Sequence, residues 1–420
     1  MYKNIRDINK YFNTDFYAFQ IIFGIICSIK LVIIGDIFIG ELLFTLFFIN
    51  KYLGGGEDKF DLRFFKSLAI SYSGVLLLTG LRKSIDYSDM VKGVLPPVLF
   101  YMTVMGLLIY FNKNKKIIPS FLLGSLIGWL YTQYSSFSEA FSENYWKFGL
   151  GFFVINAINL MLSFFYKYKN SFYIIVSGIT MSGISFTQSS RSSSFILLTS
   201  IFLYLIRLRV KYNKKIIIKY ILISILSLFI LNIALSSFMQ SDLVESIVDY
   251  EVFQKYRLQA NSEYGLLLGG RSEILTSLNA FMDSPIFGHG IGKNDPTGKY
   301  ISNYALIIDN LVEEKIDVSS LYEQMVIPTH SFIMNGFVTA GIIGGFYWLY
   351  LVYFVLNNFI KYIRFIPYFF YFEAISFIWS VFFSPFGANN RWPTSIFLAS
   401  FIIYIHIIKT DENFNSNGIV

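Results

Sequence analysis

Apolar runs long enough to cross a bilayer recur along almost the whole of this 420-residue chain. A hydrocarbon layer of about 30 Å needs about 20 apolar residues at the helical rise, and in lipid a helix satisfies its own backbone. Such runs fall near Phe16 to Ile34, Ile37 to Leu53, Phe64 to Leu81, Val94 to Phe111, Ile117 to Tyr134 and Phe148 to Tyr166. Six more lie near Phe172 to Thr187, Ser194 to Leu205, Ile216 to Phe238, Ser331 to Ile360, Ile366 to Phe383 and Pro393 to Ile408. The expectation is an all-α, polytopic membrane protein with about 12 transmembrane helices. Ser331 to Ile360 is too long for one upright span, so it must tilt, kink or project. With 55% hydrophobic residues and a mean hydropathy of +0.54, the chain has more apolar surface than one soluble core can use. Met1 to Asp15 is polar, and the first apolar run exceeds a secretory h-region and lacks a cleavage signature, so it reads as a retained span. The single cysteine, Cys27, excludes an intramolecular disulfide.

Loop charge sets the orientation. Twenty Lys and Arg residues fall in the termini and loops on one side, including Lys113, Lys115, Lys116 and Lys211 to Lys219, against six in the short loops opposite. Basic residues are retained on the cytoplasmic side, so both termini are expected there. The same bias accounts for the net charge of +7 through contact with anionic lipid heads, without any nucleic acid. Three regions result: residues 1–238 with nine spans, 239–328 as one long extracytoplasmic loop, and 329–420 with three spans. Within the loop, helical spacing at Leu243 to Val248, Ile274 to Met282 and Tyr304 to Val312 predicts short amphipathic helices lying on the membrane face or on the spans.

Four stretches on the outer side can carry chemistry. In "FTQSSRSSS", Arg191 is retained against the charge rule beside hydroxyls at a helix start; a guanidinium and helix-terminal amides suit a phosphate, though an Arg snorkelling to the interface also fits. In "GGRSEILTSLNAFMDSPIFGHGIG", Arg271 opens an amphipathic helix ahead of Glu273, where a cation opposes the helix dipole and an external anion would explain it; a solvated surface Arg is the alternative. His289 lies in the Gly288 to Gly292 turn, which lacks the preceding strand of a dinucleotide fingerprint and also reads as an ordinary loop. In "PTHSFIMNGFVTAGIIGG", Thr329 is placed to cap a returning helix, with His330 in its first turn as a base or neutral donor, and Gly341 and Gly345 form a small-residue packing face. Arg391, in "GANNRWPTS", either joins the same basic pocket or anchors the interface beside Trp392. No carboxylate pair or His/Cys cluster has metal-ligand spacing, so neither metal nor cofactor is expected.

Together, Arg191 in its Ser/Thr-rich turn, the Arg271 helix running into "PIFGHG", and His330 ahead of "GIIG" resemble the O-antigen polymerase and ligase superfamily. The resemblance spans about Phe186 to Gly345. It implies a metal-independent glycosyltransferase of the bacterial cytoplasmic membrane, acting at the outer face on undecaprenyl-diphosphate-linked glycans. Polymerase is the expected activity, joining the growing glycan to a new lipid-linked repeat unit. Ligase remains the alternative, and Ser331, standing where ligases often have asparagine, slightly favours polymerase over it. A lipid-linked oligosaccharide flippase is the rival from a different class. Catalytic roles are expected for His330, Arg271 and Arg191, and substrate contacts for Arg191, Arg271, Glu273, His289 and Arg391, with Glu273 a second candidate for the base. A chain-length regulator and a flippase are the implied protein partners.

Overall fold

A computed structural model describes residues 16–32, 35–55, 60, 62–83, 85–135, 144–165, 171–188, 190–209, 250, 253, 273–311 and 325–416. About 82% of these residues are helical. The first apolar run does not form one span. Helix α1 (Ala18–Cys27) stops at Ser28, and a small antiparallel hairpin, β1 (Lys30–Val32) and β2 (Asp36–Phe38), turns the chain into α2 (Ile39–Leu53). Lys30 pairs with Asp36 across that hairpin at 3.2 Å, and the polar Lys30, Gly35 and Asp36 are what hydropathy averaging overlooked.

Next come α3 (Arg63–Arg82), α4 (Tyr87–Lys113), α5 (Ile118–Ser135) and α6 (Gly151–Leu160), the last continued at both ends by π-helical turns, then α7 (Ser171–Thr187) and α8 (Arg191–Arg209). The loop supplies α9 (Glu273–Asp283) and α10 (Lys299–Leu311), and the chain finishes with α11 (Phe332–Tyr362), α12 (Tyr368–Phe383) and α13 (Ala388–Ser416). Among the described residues, four helices are long and apolar enough to cross a membrane: α3, α4, α11 and residues Ala388–Thr410 of α13. The remaining bundle helices that match expected runs are shorter, and the run from Ile216 to Phe238 lies outside the described residues.

One aromatic-rich core joins most of these helices. Phe44, Tyr110 and Phe121 meet between α2, α4 and α5, and Phe100, Phe332, Trp348 and Phe386 meet between α4, α11 and the turn before α13. Such ring pairs add about 0.5–1.5 kcal/mol each beyond their buried area. They fix helix spacing where lipid supplies no hydrophobic drive between helices.

Helix α11 is not one rod. Ala340 (φ −134°, ψ 22°) and Gly341 (φ 60°, ψ −146°) leave the helical region and divide it into a short arm, 332–339, and a long arm, 342–362. Residues eight apart in a continuous helix are separated by about 12 Å. Here a methyl group on Gly336 would lie 2.5 Å from the carbonyl oxygen of Gly344, and the Phe332 ring sits 4.9 Å from that of Trp348. The short arm is therefore folded back on the long one. The long arm's 21 residues reach about 31 Å, enough for one crossing.

Candidate functional site

The glycine-rich turn of the loop is the cap of this helix break. Breaking a helix strands backbone carbonyls and amides, which are costly when buried. At the break, the His289 amide donates to the Val338 carbonyl at 2.6 Å, the Gly290 amide to the Thr339 carbonyl at 3.0 Å, and the Ile342 amide to the Pro285 carbonyl at 2.8 Å. Docking this close requires glycine on both sides. A Cβ on Gly288 (φ 65°) would meet the Thr339 carbonyl carbon at 2.6 Å, and one on Gly341 would meet the Pro285 oxygen at 2.5 Å. Gly341 is thus the hinge and Gly336–Gly344 the close crossing, where a Gly341–Gly345 packing face was expected.

Side chains lock the cap in place. The His289 ring donates from Nε2 to the Ala280 carbonyl (2.8 Å), and Lys83 at the end of α3 donates to the His289 carbonyl (2.5 Å). Thr339, beside the break, shares a 3.1 Å hydrogen bond with the Tyr72 hydroxyl of α3. Ala280, Tyr300, Ile327 and Val338 form a small separate core that seats α9 and α10 on the short arm. Two of the three expected loop helices match their positions, and the Leu243 to Val248 segment lies outside the described residues, but α9 uses a different face. It buries Thr276, Ser277 and Ala280, while Leu278, Met282, Ile286 and Phe287 stay exposed.

Glu273 accepts from the Tyr304 hydroxyl at 3.2 Å, tying α9 to α10. A second tie joins Asp283 to Lys299 (2.5 Å) and to the Tyr300 hydroxyl (2.6 Å); these hydrogen bonds hold the Asp283 carboxyl below the usual carboxylate range. Arg271 lies outside the described residues. Arg191 is the first residue of α8 and is half-buried, following Ser190, whose hydroxyl donates to Ser193 at 2.8 Å. His330 precedes its helix, because Ser331 is the cap and accepts from the Met334 amide at 3.0 Å. That corrects the expected cap at Thr329 and the expected first-turn position of His330. Helix α8 runs antiparallel to α12, with Phe195 against Trp379 and Tyr204 against Tyr368, and Tyr371 of α12 meets Phe359 near the end of the long arm of α11, so Arg191 lies toward the end of the bundle where that long arm starts at the cap.

Arg391 is 6% exposed. Its guanidinium donates to both carboxylate oxygens of Glu41, at 2.5 and 2.9 Å, and to the Asp36 carbonyl at 3.1 Å. Glu41 also caps α2 by accepting from the Phe38 amide at 2.9 Å. The paired charges clasp α13 to the hairpin and to α2.

Two features escaped sequence reading. Lys293, just beyond the cap, donates to Thr329, and Thr329 donates to Asn335 at 3.3 Å; burial pulls the Lys293 amine down to about 8. Read along the chain, it is only another loop lysine. The second is a cavity of about 40 Å³ inside the bundle, lined by Ser125, Trp129, Phe152, Glu373, Trp392 and Phe397. A lone Glu in an apolar helix is the signal that could have marked it. The cavity is separate from the cap, and among the described residues no cluster of His, Cys, Asp or Glu suits a metal.

Comparison with protein-family models, with curated proteins and with solved structures gives no match.

Proposed function

We propose that the chain is a metal-independent glycosyltransferase of a bacterial surface-polysaccharide pathway, an O-antigen polymerase working at the outer face of the cytoplasmic membrane. About twelve spans with both termini cytoplasmic would place the cap, Arg191 and His330 outside. The observation that carries the reading is the docking of the Pro285–Gly290 turn into the break of α11. It joins two of the three stretches on which the resemblance rests, at the end of the bundle that also carries Arg191.

In this reading an acceptor hydroxyl attacks the anomeric carbon of the donor glycan. The new C–O bond forms as the sugar–phosphate C–O bond breaks, and the electron pair leaves with undecaprenyl diphosphate. Arg191 and Arg271 stabilise the charge gathering on the diphosphate, worth most where water is excluded. The hydroxyl proton passes to His330, or to Glu273 with His330 then holding the diphosphate. His289 contributes by fixing the cap through its ring. Glu373, an ionisable group inside the bundle, favours the second reading, a transporter of lipid-linked oligosaccharide, because transporters place such groups at depth.

Purified protein mixed with a synthetic undecaprenyl-diphosphate repeat unit should give a glycan ladder. Arg191→Ala and Arg271→Ala should abolish it with normal membrane insertion, and Arg→Lys should fail as well, since an ammonium lacks the bidentate fork. Movement of the intact repeat unit across vesicles, lost in Glu373→Gln and without ladder formation, would replace this reading with the transporter.

A further inference from the structure

Lys293 holds an unusual position. Its φ of 50° makes it one of only two non-glycine residues in the left-handed region among the described residues. A lysine gains nothing locally from that conformation, so the surroundings must impose it. They do: the Lys293 amide donates to the Gly290 carbonyl at 3.3 Å, the Ile327 amide donates to the Lys293 carbonyl at 2.8 Å, and Asn294 bridges Val326. The backbone thus aims one amine at the segment between the loop and α11.

The groups around that amine form a one-way relay. Lys293 donates to the Thr329 hydroxyl, and that hydroxyl donates to Oδ1 of Asn335, so the relay consumes its own acceptors. Two of the three ammonium protons and the Asn335 amide group have no acceptor among the described residues. The nearest carboxylate in sequence, Asp295, is committed elsewhere, accepting from the Tyr300 and Ile301 amides at 2.8 and 3.0 Å and from Thr297 at 3.3 Å. No ion pair involves Lys293 among the described residues. A half-buried cation with surplus donors and no counter-ion among the described residues calls for an external anion.

We propose that Lys293, Thr329 and Asn335 form a receptor for a phosphate-type oxyanion, one residue before His330. The site stands on donors and burial alone. If the glycosyltransferase reading holds, its occupant is a phosphate of the lipid carrier, and only that last step rests on the reading.

The test uses the full chain in lipid nanodiscs and measures retention of radiolabelled inorganic phosphate, inorganic pyrophosphate and undecaprenyl diphosphate. Wild type should retain at least one of the three. Lys293→Met should weaken that binding at least tenfold, and Lys293→Arg should keep part of it. Asn335→Asp, which sets a carboxylate one hydroxyl away from the amine, should abolish it even if the methionine variant fails to fold. Retention of the lipid form alone assigns the site to a membrane headgroup, and retention of the inorganic forms assigns it to soluble phosphate; both support the receptor. No retention of any probe by wild type, or wild-type retention by well-folded Lys293→Met or Asn335→Asp, overturns it. Binding that persists without any glycan ladder sinks the enzymatic reading and leaves the receptor standing.

Discussion

Gly341→Ala tests the cap against the helix break directly. At φ 60° and ψ −146° Gly341 occupies a region open essentially to glycine alone, where an L-residue carries about 1–3 kcal/mol of strain. Its Cβ would lie 2.5 Å from the Pro285 carbonyl oxygen and from the Ile286 carbonyl carbon, both backbone atoms, so the loop must retreat by about 1 Å to restore ordinary contact. That shift stretches the three hydrogen bonds joining the turn to Val338, Thr339 and Ile342, each worth about 1 kcal/mol. The total loss is about 4–6 kcal/mol if all three go. Gly183→Ala is the control, because nothing lies within 4 Å of its added methyl and alanine suits a helix better by up to about 1 kcal/mol. Thermal unfolding in detergent should place Gly341→Ala several degrees below wild type and Gly183→Ala at or above it. Thiol labelling at Ala280→Cys, a position buried against Val338, should accelerate in the Gly341→Ala background, with buried Cys27 silent. Equal transitions and equal labelling in wild type and Gly341→Ala would refute the account of the cap.

Other perturbations read separate parts of the molecule. Arg391→Met leaves Glu41 buried and unpaired, which should cost about 3–5 kcal/mol in unfolding measurements, while Glu41→Gln with Arg391→Met should recover part of the loss. The Lys293 amine lies at about 8, below its ordinary value, so it is charged below that pH and neutral above; phosphate or pyrophosphate retention should fall as pH rises through about 8, and a bound anion should move that midpoint upward. Asp283→Ala removes the acceptor shared by Lys299 and Tyr300 and should loosen α10 from α9, read as faster amide exchange in α10 with the bundle helices unchanged.

The long apolar runs were legible because a helix in lipid must bring its own hydrogen-bond partners and enough length. Those constraints give α3, α4, α5, α7, α12 and α13 bounds within a few residues of expectation, apart from the earlier start of α4 and the extension of α13 at both ends. Amphipathic spacing likewise located α9 and α10. The buried face of α9 was not legible, since spacing marks an apolar stripe without saying whether protein or lipid meets it. Leu278 and Met282 stay outside, while Thr276 and Ser277 go in.

The chemistry-bearing residues divide in the same way. "GHGIG" announces backbone freedom, but not that its partners are the stranded groups of a helix fifty residues later. Arg391 looks available along the chain, and only the fold brings Glu41 to it from 350 positions away. Lys293 looks like any solvated lysine until Thr329 and Asn335 close around it. Sequence alone therefore determined which segments must be helices and which residue types are expensive to keep, because those follow from local hydropathy and length. Tertiary structure alone decided which charges are paired, where a helix breaks and what seals it, because these depend on contacts between residues the chain holds far apart.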